Sequence, residues 1–245
     1  MLPAYKNESK YNFELIVNYF VLLFSSMSRH FEIQARGAKK RQRTRGSLLD
    51  SAVDVFARKG ISNAKISDIT EIAGLANGTF YNHFKDKDEL ALQTTLAIII
   101  EIGAAIDKSM TDIETASLRI VVATTQFLTL ATDSKNWGLV LVDGYHQLPK
   151  NKTETALYLK AEIQLGLDQH VFETTLDNFL LHQIAALIMS SLSVQLAKGV
   201  DAEMTRRTCQ HVLQILGMSP ATAIESVSLA QVKLAKTAKL AKLRP

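Results

Sequence analysis

The chain is short of the residues that build non-helical or cross-linked folds. A single cysteine, Cys209, stands among 245 residues, so an internal disulfide and a cysteine-based metal cage are both excluded. Its helical surroundings point to a small buried core residue, and a reducing cytoplasm fits. Four prolines and 11 glycines are too few for a collagenous or low-complexity chain. Strand signals are nearly absent: Asn77-Gly78 is flanked by helical patterns rather than by alternating apolar runs. The six histidines are scattered with no i, i+4 pair, and no nucleophile motif, Gly-rich phosphate loop or HExxH is present. No metal or cofactor is therefore expected, and no repeat recurs at a fixed period.

The chain is 47% apolar and 21% charged with a net charge of +4, a profile that suits one large or two smaller globular domains. The charge is unevenly spread. Residues 36–45, "RGAKKRQRTR", carry six cations and no acid. Such a run reads either as a solvated arm or as one that follows phosphates through Lys40, Arg41 and Arg43. Both readings stay open.

At the N-terminus, "NFELIVNYFVLLF" (12–24) is apolar nearly all round but falls short of the ~20 residues that cross a bilayer. Glu8 dilutes a signal-like leader and no A-x-A-like site follows. Met27 resembles a natural start, so residues 1–26 are expected to be an over-extended start or a dispensable leader. An extra packing helix and a membrane-contacting one remain the alternatives.

From Ser47 to Lys59, Leu49, Ala52, Val53 and Phe56 recur on one helical stripe, and Gly60 supplies a stop. A short helix, "ISDITEIA", is expected to bury Ile66, Ile69, Ile72 and Ala73 and to end at Gly74. A tight turn then leads into "GTFYNHFKDKDEL" (78–90). This is a helix-turn-helix pattern. Asp86 and Glu89 form a capping box for a long helix through "ELALQTTLAIIIEIGAAI". Helical segments follow at about 112–131, 135–147, 151–171, 174–198 and 202–216. The tail from about 219 spaces Lys233, Lys236, Lys239 and Lys242 three apart. It is expected to be a frayed basic tail, with an anionic membrane or nucleic acid as the alternative support.

The stretch "SLLDSAVDVFARKGISNAKISDITEIAGLANGTFYNHFKDKDEL" resembles the DNA-binding domain of the tetracycline-repressor (TetR) family. The matching features are Phe56 followed by Gly60, Asp68-Ile69, Ala73-Gly74, Gly78-Thr79-Phe80-Tyr81, His83-Phe84 and Lys87. The resemblance covers about residues 40–95. It implies an all-α chain: a leader and basic arm (1–38), a three-helix DNA-binding domain (39–90), a larger helical domain that binds a small molecule and dimerises (91–218), and the basic tail (219–245). Two departures stand out: Ala64 and Ala76 occupy positions where the resemblance implies a Ser or Thr cap, and Ala cannot cap. Thr70 stands where a small Ala is usual.

The chemistry of the stretch supports the same reading. Base edges in the major groove are read by short polar groups at an exposed helix start. Asn77, Thr79 and Asn82 are such groups, with Asn77 alternatively a cap, and Gly78 permits close backbone approach. Tyr81, His83 and Lys87 are placed to hold phosphates, which sets register without reading sequence. Phe80 and Phe84 are assigned to the core.

Within the larger domain, Leu176, Leu180, Ile184, Leu187 and Leu192 lie among small residues, as a helix in a dimer interface or in an internal core would. Gln126, Trp137, Tyr145, His146, Tyr158 and Gln164 are polar-tipped residues on apolar helices and form the candidate pocket for an amphipathic effector. The expected function is a cytoplasmic, ligand-responsive repressor that binds an inverted-repeat operator as a homodimer. The competing readings are a helical enzyme using His146 with Asp143 and Tyr145, and a membrane-associated helical protein.

Overall fold

A computed structural model describes residues 30–34, 39–148 and 156–242. The apolar leader at 12–24 and Arg36 lie outside those residues. Eleven helices and no strand occur among the described residues: α1 (His30–Gln34), α2 (Lys40–Lys59), α3 (Ile66–Ala73), α4 (Asn77–Phe80), α5 (Lys87–Ser109), α6 (Ala116–Asp133), α7 (Lys135–Gln147), α8 (Ala156–Asp168), α9 (Asn178–Lys198), α10 (Ala202–Ile215) and α11 (Pro220–Lys242).

Helices α2, α3 and α4 close over a small core in which Phe56, Ile69, Phe80, Phe84 and Leu90 are fully buried. Each such side chain contributes about 1.5–3 kcal/mol through burial. The stripe read from Leu49 to Phe56 faces this core. α2 begins at Lys40, however, so Lys40–Arg45 form its first turns rather than a free arm. α3 ends at Gly74, whose φ of +65° is the left-handed conformation that glycine adopts without strain. Of the four residues expected to be buried on α3, only Ile69 is; Ile66 and Ala73 are half-buried and Ile72 is 45% exposed.

The two alanine departures resolve simply. Ala64 is buried and Lys65 holds the cap position of α3, its backbone N–H donating to Asp68 across 3.0 Å. Ala76 leaves α4 without a side-chain cap. Asn77 does not cap either: its Oδ1 lies 2.5 Å from the Thr70 hydroxyl, so the unusual threonine braces the start of α4. Asp86 caps α5 by accepting from the Glu89 N–H at 2.8 Å, and the Glu89 carboxylate reaches back to the N–H of Lys85.

α6 is the central helix of the larger unit, with α5, α7, α8, α9, α10 and α11 packed around it. Cys209 is buried on α10, and burial pushes its thiol up to about 12, so it is an inert core group. The segment read as a frayed tail is instead mostly helix. Ala223, Val227, Ala230 and Leu234 are buried on one stripe of α11 against α6 and α10, and the Lys233 ammonium donates to the carbonyl of Asp112 at 2.5 Å. The three-residue lysine spacing masked an apolar stripe of helical period. α5 and α9 are long and apolar enough to cross a membrane by length and composition, and both are packed into this bundle.

α1 falls within the region read as leader and arm, yet it is packed in place. The N–H groups of Phe31 and Glu32 donate to the two oxygens of Asp50 at 3.0 and 2.8 Å. Beneath it, a Cβ on Gly46 would stand 2.6 Å from the Phe31 carbonyl oxygen, so this approach requires glycine. Phe31 stacks on Trp137 with centroids 5.9 Å apart, and His30 pairs with Glu101 at 3.2 Å. α1 therefore clasps α2, α5 and α7 together.

Candidate nucleic-acid interface and effector cavity

α4 is a single helical turn, continued as far as Phe84 by backbone bonds from Asn82 N to Thr79 O and from Phe84 N to Phe80 O. Phe80 and Phe84 anchor it inward, which forces the intervening residues outward. Tyr81 is 61% exposed, its ring set edge-on against Phe80 with centroids 5.3 Å apart. Asn77, Gly78 and Asn82 are also exposed, and Thr79 and His83 are half-buried. A Cβ on Gly78 would meet no atom within 4 Å, so nothing inside the fold requires glycine there. An external surface at close range would.

Lys40, Arg41 and Arg43 are exposed on the first turn of α2, and Arg41 donates to the carbonyl of Asn82 in the turn at 3.4 Å. His83 has its imidazole pKa lowered by burial and by the neighbouring Arg41 and Arg45 guanidinia, so it stands neutral at pH 7. Lys87 donates to the carbonyl of Ser62 at 2.8 Å, which holds the turn before α3 against the start of α5. Of the residues expected to contact DNA, Lys40, Arg41, Arg43, Asn77, Gly78, Tyr81 and Asn82 are exposed, and Thr79, His83 and Lys87 are half-buried. Short polar groups occupy the turn and cations the start of α2, the arrangement that base readout with phosphate clamping requires.

Residues 48–94 match the family description "Bacterial regulatory proteins, tetR family". The chain carries a TetR-family DNA-binding domain. Within this TetR-family domain the curated relatives also align: the HTH-type transcriptional regulator AcrR of Shigella flexneri is 41% identical over 49 residues, 20% of this chain and 23% of that protein. The chain spans half or less of the length of the curated relatives it matches. Among solved structures, RolR in complex with resorcinol aligns over 78% of this chain and 96% of its own at 22% identity and a TM-score of 0.62. FadR of Bacillus subtilis in complex with stearoyl-CoA aligns over 71% and 98% at 17% identity and a TM-score of 0.57. These two likenesses extend the shared fold beyond the TetR-family domain, across the larger helical unit.

That unit encloses a half-open cavity of about 870 Å³ between α5, α6, α8 and α9. Its walls are apolar, with Ala97, Ile100, Gly103, Phe127 and Met189 among them, and Arg45 with Gln93 forms one end. Of the six residues read as an effector pocket, the five whose side chains are described, Gln126, Trp137, Tyr145, His146 and Gln164, do not line it. Gln126 is buried just beside it and accepts a hydrogen bond from Ser109. Trp137 is core packing under α1, and Tyr145 stacks edge-on with the exposed His146. Gln164 is exposed and donates to Asp168, and the Tyr158 side chain lies outside the described residues. The cavity is lined instead mostly by small and aliphatic residues. The available signal was α5 itself, apolar all round: one face is packed into the core and the other is left to line a void.

Asp143, the acid of the enzyme reading, is engaged structurally. It accepts from the Ile61 N–H at 2.6 Å and from the Gln147 amide. On α9, Leu180, Ile184 and Leu192 face the internal core, and Ile188 faces the cavity. The outward face is instead Phe179, Ala186, Ser190 and Ser193.

Proposed function

We propose that the chain is a cytoplasmic, ligand-responsive transcriptional repressor that binds an inverted-repeat operator as a homodimer and is released when a small molecule enters the cavity. The observation that carries this reading is the exposed turn from Asn77 to His83, with its outward tyrosine and its sterically unneeded glycine beside the cations of α2. A ligand that prefers one spacing of the two units shifts the population toward it, and DNA binding follows that spacing. The named ligands of RolR and FadR, resorcinol and stearoyl-CoA, support a small molecule as the regulator. Dimerisation is assigned to the outward faces of α9 and α10, where small residues on α9 allow close approach.

The test is footprinting of the purified protein on DNA flanking its own gene, together with its mass in solution. A two-fold symmetric footprint with half-sites one or more helical turns apart is expected, made by a dimer. Ala186→Arg should give a monomer that no longer protects the site. A footprint without symmetry, or full protection by a monomeric variant, would overturn the dimeric assignment, and failure to protect any DNA would overturn the repressor reading.

A further inference from the structure

The cavity is long and electrically asymmetric. Its lining on α5 runs from Gln93 to Met110 along one face, a path of about 25 Å at the helical rise of ~1.5 Å per residue. A compact aromatic would leave most of this length unfilled, while an extended apolar chain follows it. At the far end Glu162 is neutralised by Arg119, with bonds of 2.6 Å to both carboxylate oxygens, and Asp107 stands nearby. At the near end stands Arg45. It has no carboxylate within 4.0 Å among the described residues; its guanidinium donates to the neutral Gln93 side chain at 3.2 Å and lies over the Phe84 ring at 4.9 Å. Arg41, one turn earlier on α2, adds a second cation on this side.

We propose that the effector is a long-chain amphiphile with a single anionic head, whose chain lies along α5 and whose head is held by Arg45. This deepens the ligand-release reading and rests on it. A carboxylate or phosphate would take the guanidinium fork that now has only the Gln93 oxygen. Arg45 belongs to α2 and Phe84 closes the recognition turn, so drawing the guanidinium toward a ligand pulls on the element that reads DNA. The head group is thereby both the specificity element and the signal.

The experiment measures binding to the full-length protein by displacement of a fluorescent probe from the cavity, with palmitate and hexadecyl phosphate below their micelle concentrations and hexadecanol below its solubility limit. Release of operator DNA is measured in parallel. The two anionic compounds should bind about ten- to a hundred-fold more tightly than the alcohol, the range expected of a charge-assisted hydrogen bond, and the tighter of the two identifies the head. Arg45→Met should abolish that preference while hexadecanol binding persists, Arg45→Lys should restore part of it, and Ala123→Phe should weaken all three by filling the lumen. Equal binding of acid and alcohol, or a preference that survives Arg45→Met, would overturn the assignment. Inert amphiphiles alongside release by another compound class would overturn it too, while leaving ligand release standing. Arg45-dependent binding without operator release would uphold the ligand and overturn the release reading.

Discussion

The backbone N–H of Ile61 donates to Oδ2 of Asp143 across 2.6 Å, joining the turn between α2 and α3 to α7 in the larger unit. Ser62 and Gln147 pair beside it at 2.5 Å, and Asn136 reaches Asp54 at 3.1 Å. These bonds make the helix-turn-helix follow α7. A carboxylate accepting a backbone N–H at a partly buried junction is worth more than a neutral pair.

Asp143→Ala should therefore lower stability by about 1–3 kcal/mol, since it strands the Ile61 N–H. It should also blunt the response of operator binding to effector more than it changes operator affinity. Denaturant unfolding and gel shifts with and without ligand measure the two effects. An intact ligand response in a destabilised variant would make Asp143 a purely structural tie.

The recognition turn separates positioning from reading. Gly78→Ala should leave folding unchanged or slightly stabilised, because no atom opposes the new Cβ and Ala is the better helix former. It should nevertheless weaken operator binding by crowding the groove. Asn82→Ala should cost ~1–3 kcal/mol on the operator and relax preference at one position per half-site. Lys87→Ala should weaken binding to all DNA alike and lower the salt slope by about one, and Tyr81→Phe should weaken it generally with little change of slope. Operator and scrambled DNA across a salt series distinguish these outcomes; a sequence-selective effect from Lys87→Ala would reverse the assigned roles.

Much of the helix-turn-helix was legible because its signals are local. The Phe56–Gly60 stop, the Asp86 cap and the inward Phe80 and Phe84 lie within a few residues of what they determine. The cavity was not, because it forms from aliphatic faces on four helices remote in sequence, and Arg45 reaches its end only where α2 meets α5 at Gln93. The α1 clasp depends on Asp50 and Trp137, partners that local pattern does not reveal. α11 failed for a different reason: its lysines dominated a segment whose Ala223–Leu234 stripe has ordinary helical period.

Asp133, the last residue of α6, carries a buried Oδ2 with no hydrogen-bond partner among the described residues. Burial pushes its carboxyl up to about 6 from 3.8, and the negative end of the helix dipole opposes its charge as well. Because the folded-state value is raised, ionisation costs stability progressively as pH climbs from about 4 through 6. Asp133→Asn should stabilise the protein by roughly 1–2 kcal/mol at pH 7.5, after discounting for partial solvent screening. That gain should shrink toward zero at pH 4. Urea unfolding of both proteins at the two pH values checks this, and a gain of equal size at both would point to packing instead of charge.

His83 carries the pH prediction for DNA binding. In the free protein its pKa lies below the ordinary histidine value, first through burial and then through repulsion from Arg41 and Arg45. Phosphates brought against this surface neutralise the two guanidinia and attract an imidazolium, so the value in the complex must rise. A group whose pKa is higher in the complex takes up a proton on binding, and affinity then increases as pH falls through the interval between the two values. Operator affinity should accordingly strengthen from pH 8 toward pH 5.5, with a slope approaching one proton, and should level off once the free protein is itself protonated. His83→Gln keeps a hydrogen-bond donor without the titration and should flatten the curve while retaining most of the affinity at pH 8. The measurement is operator binding by fluorescence anisotropy at constant ionic strength, since a drifting salt concentration would imitate the effect. A wild-type curve as flat as that of His83→Gln would place this imidazole away from the phosphates.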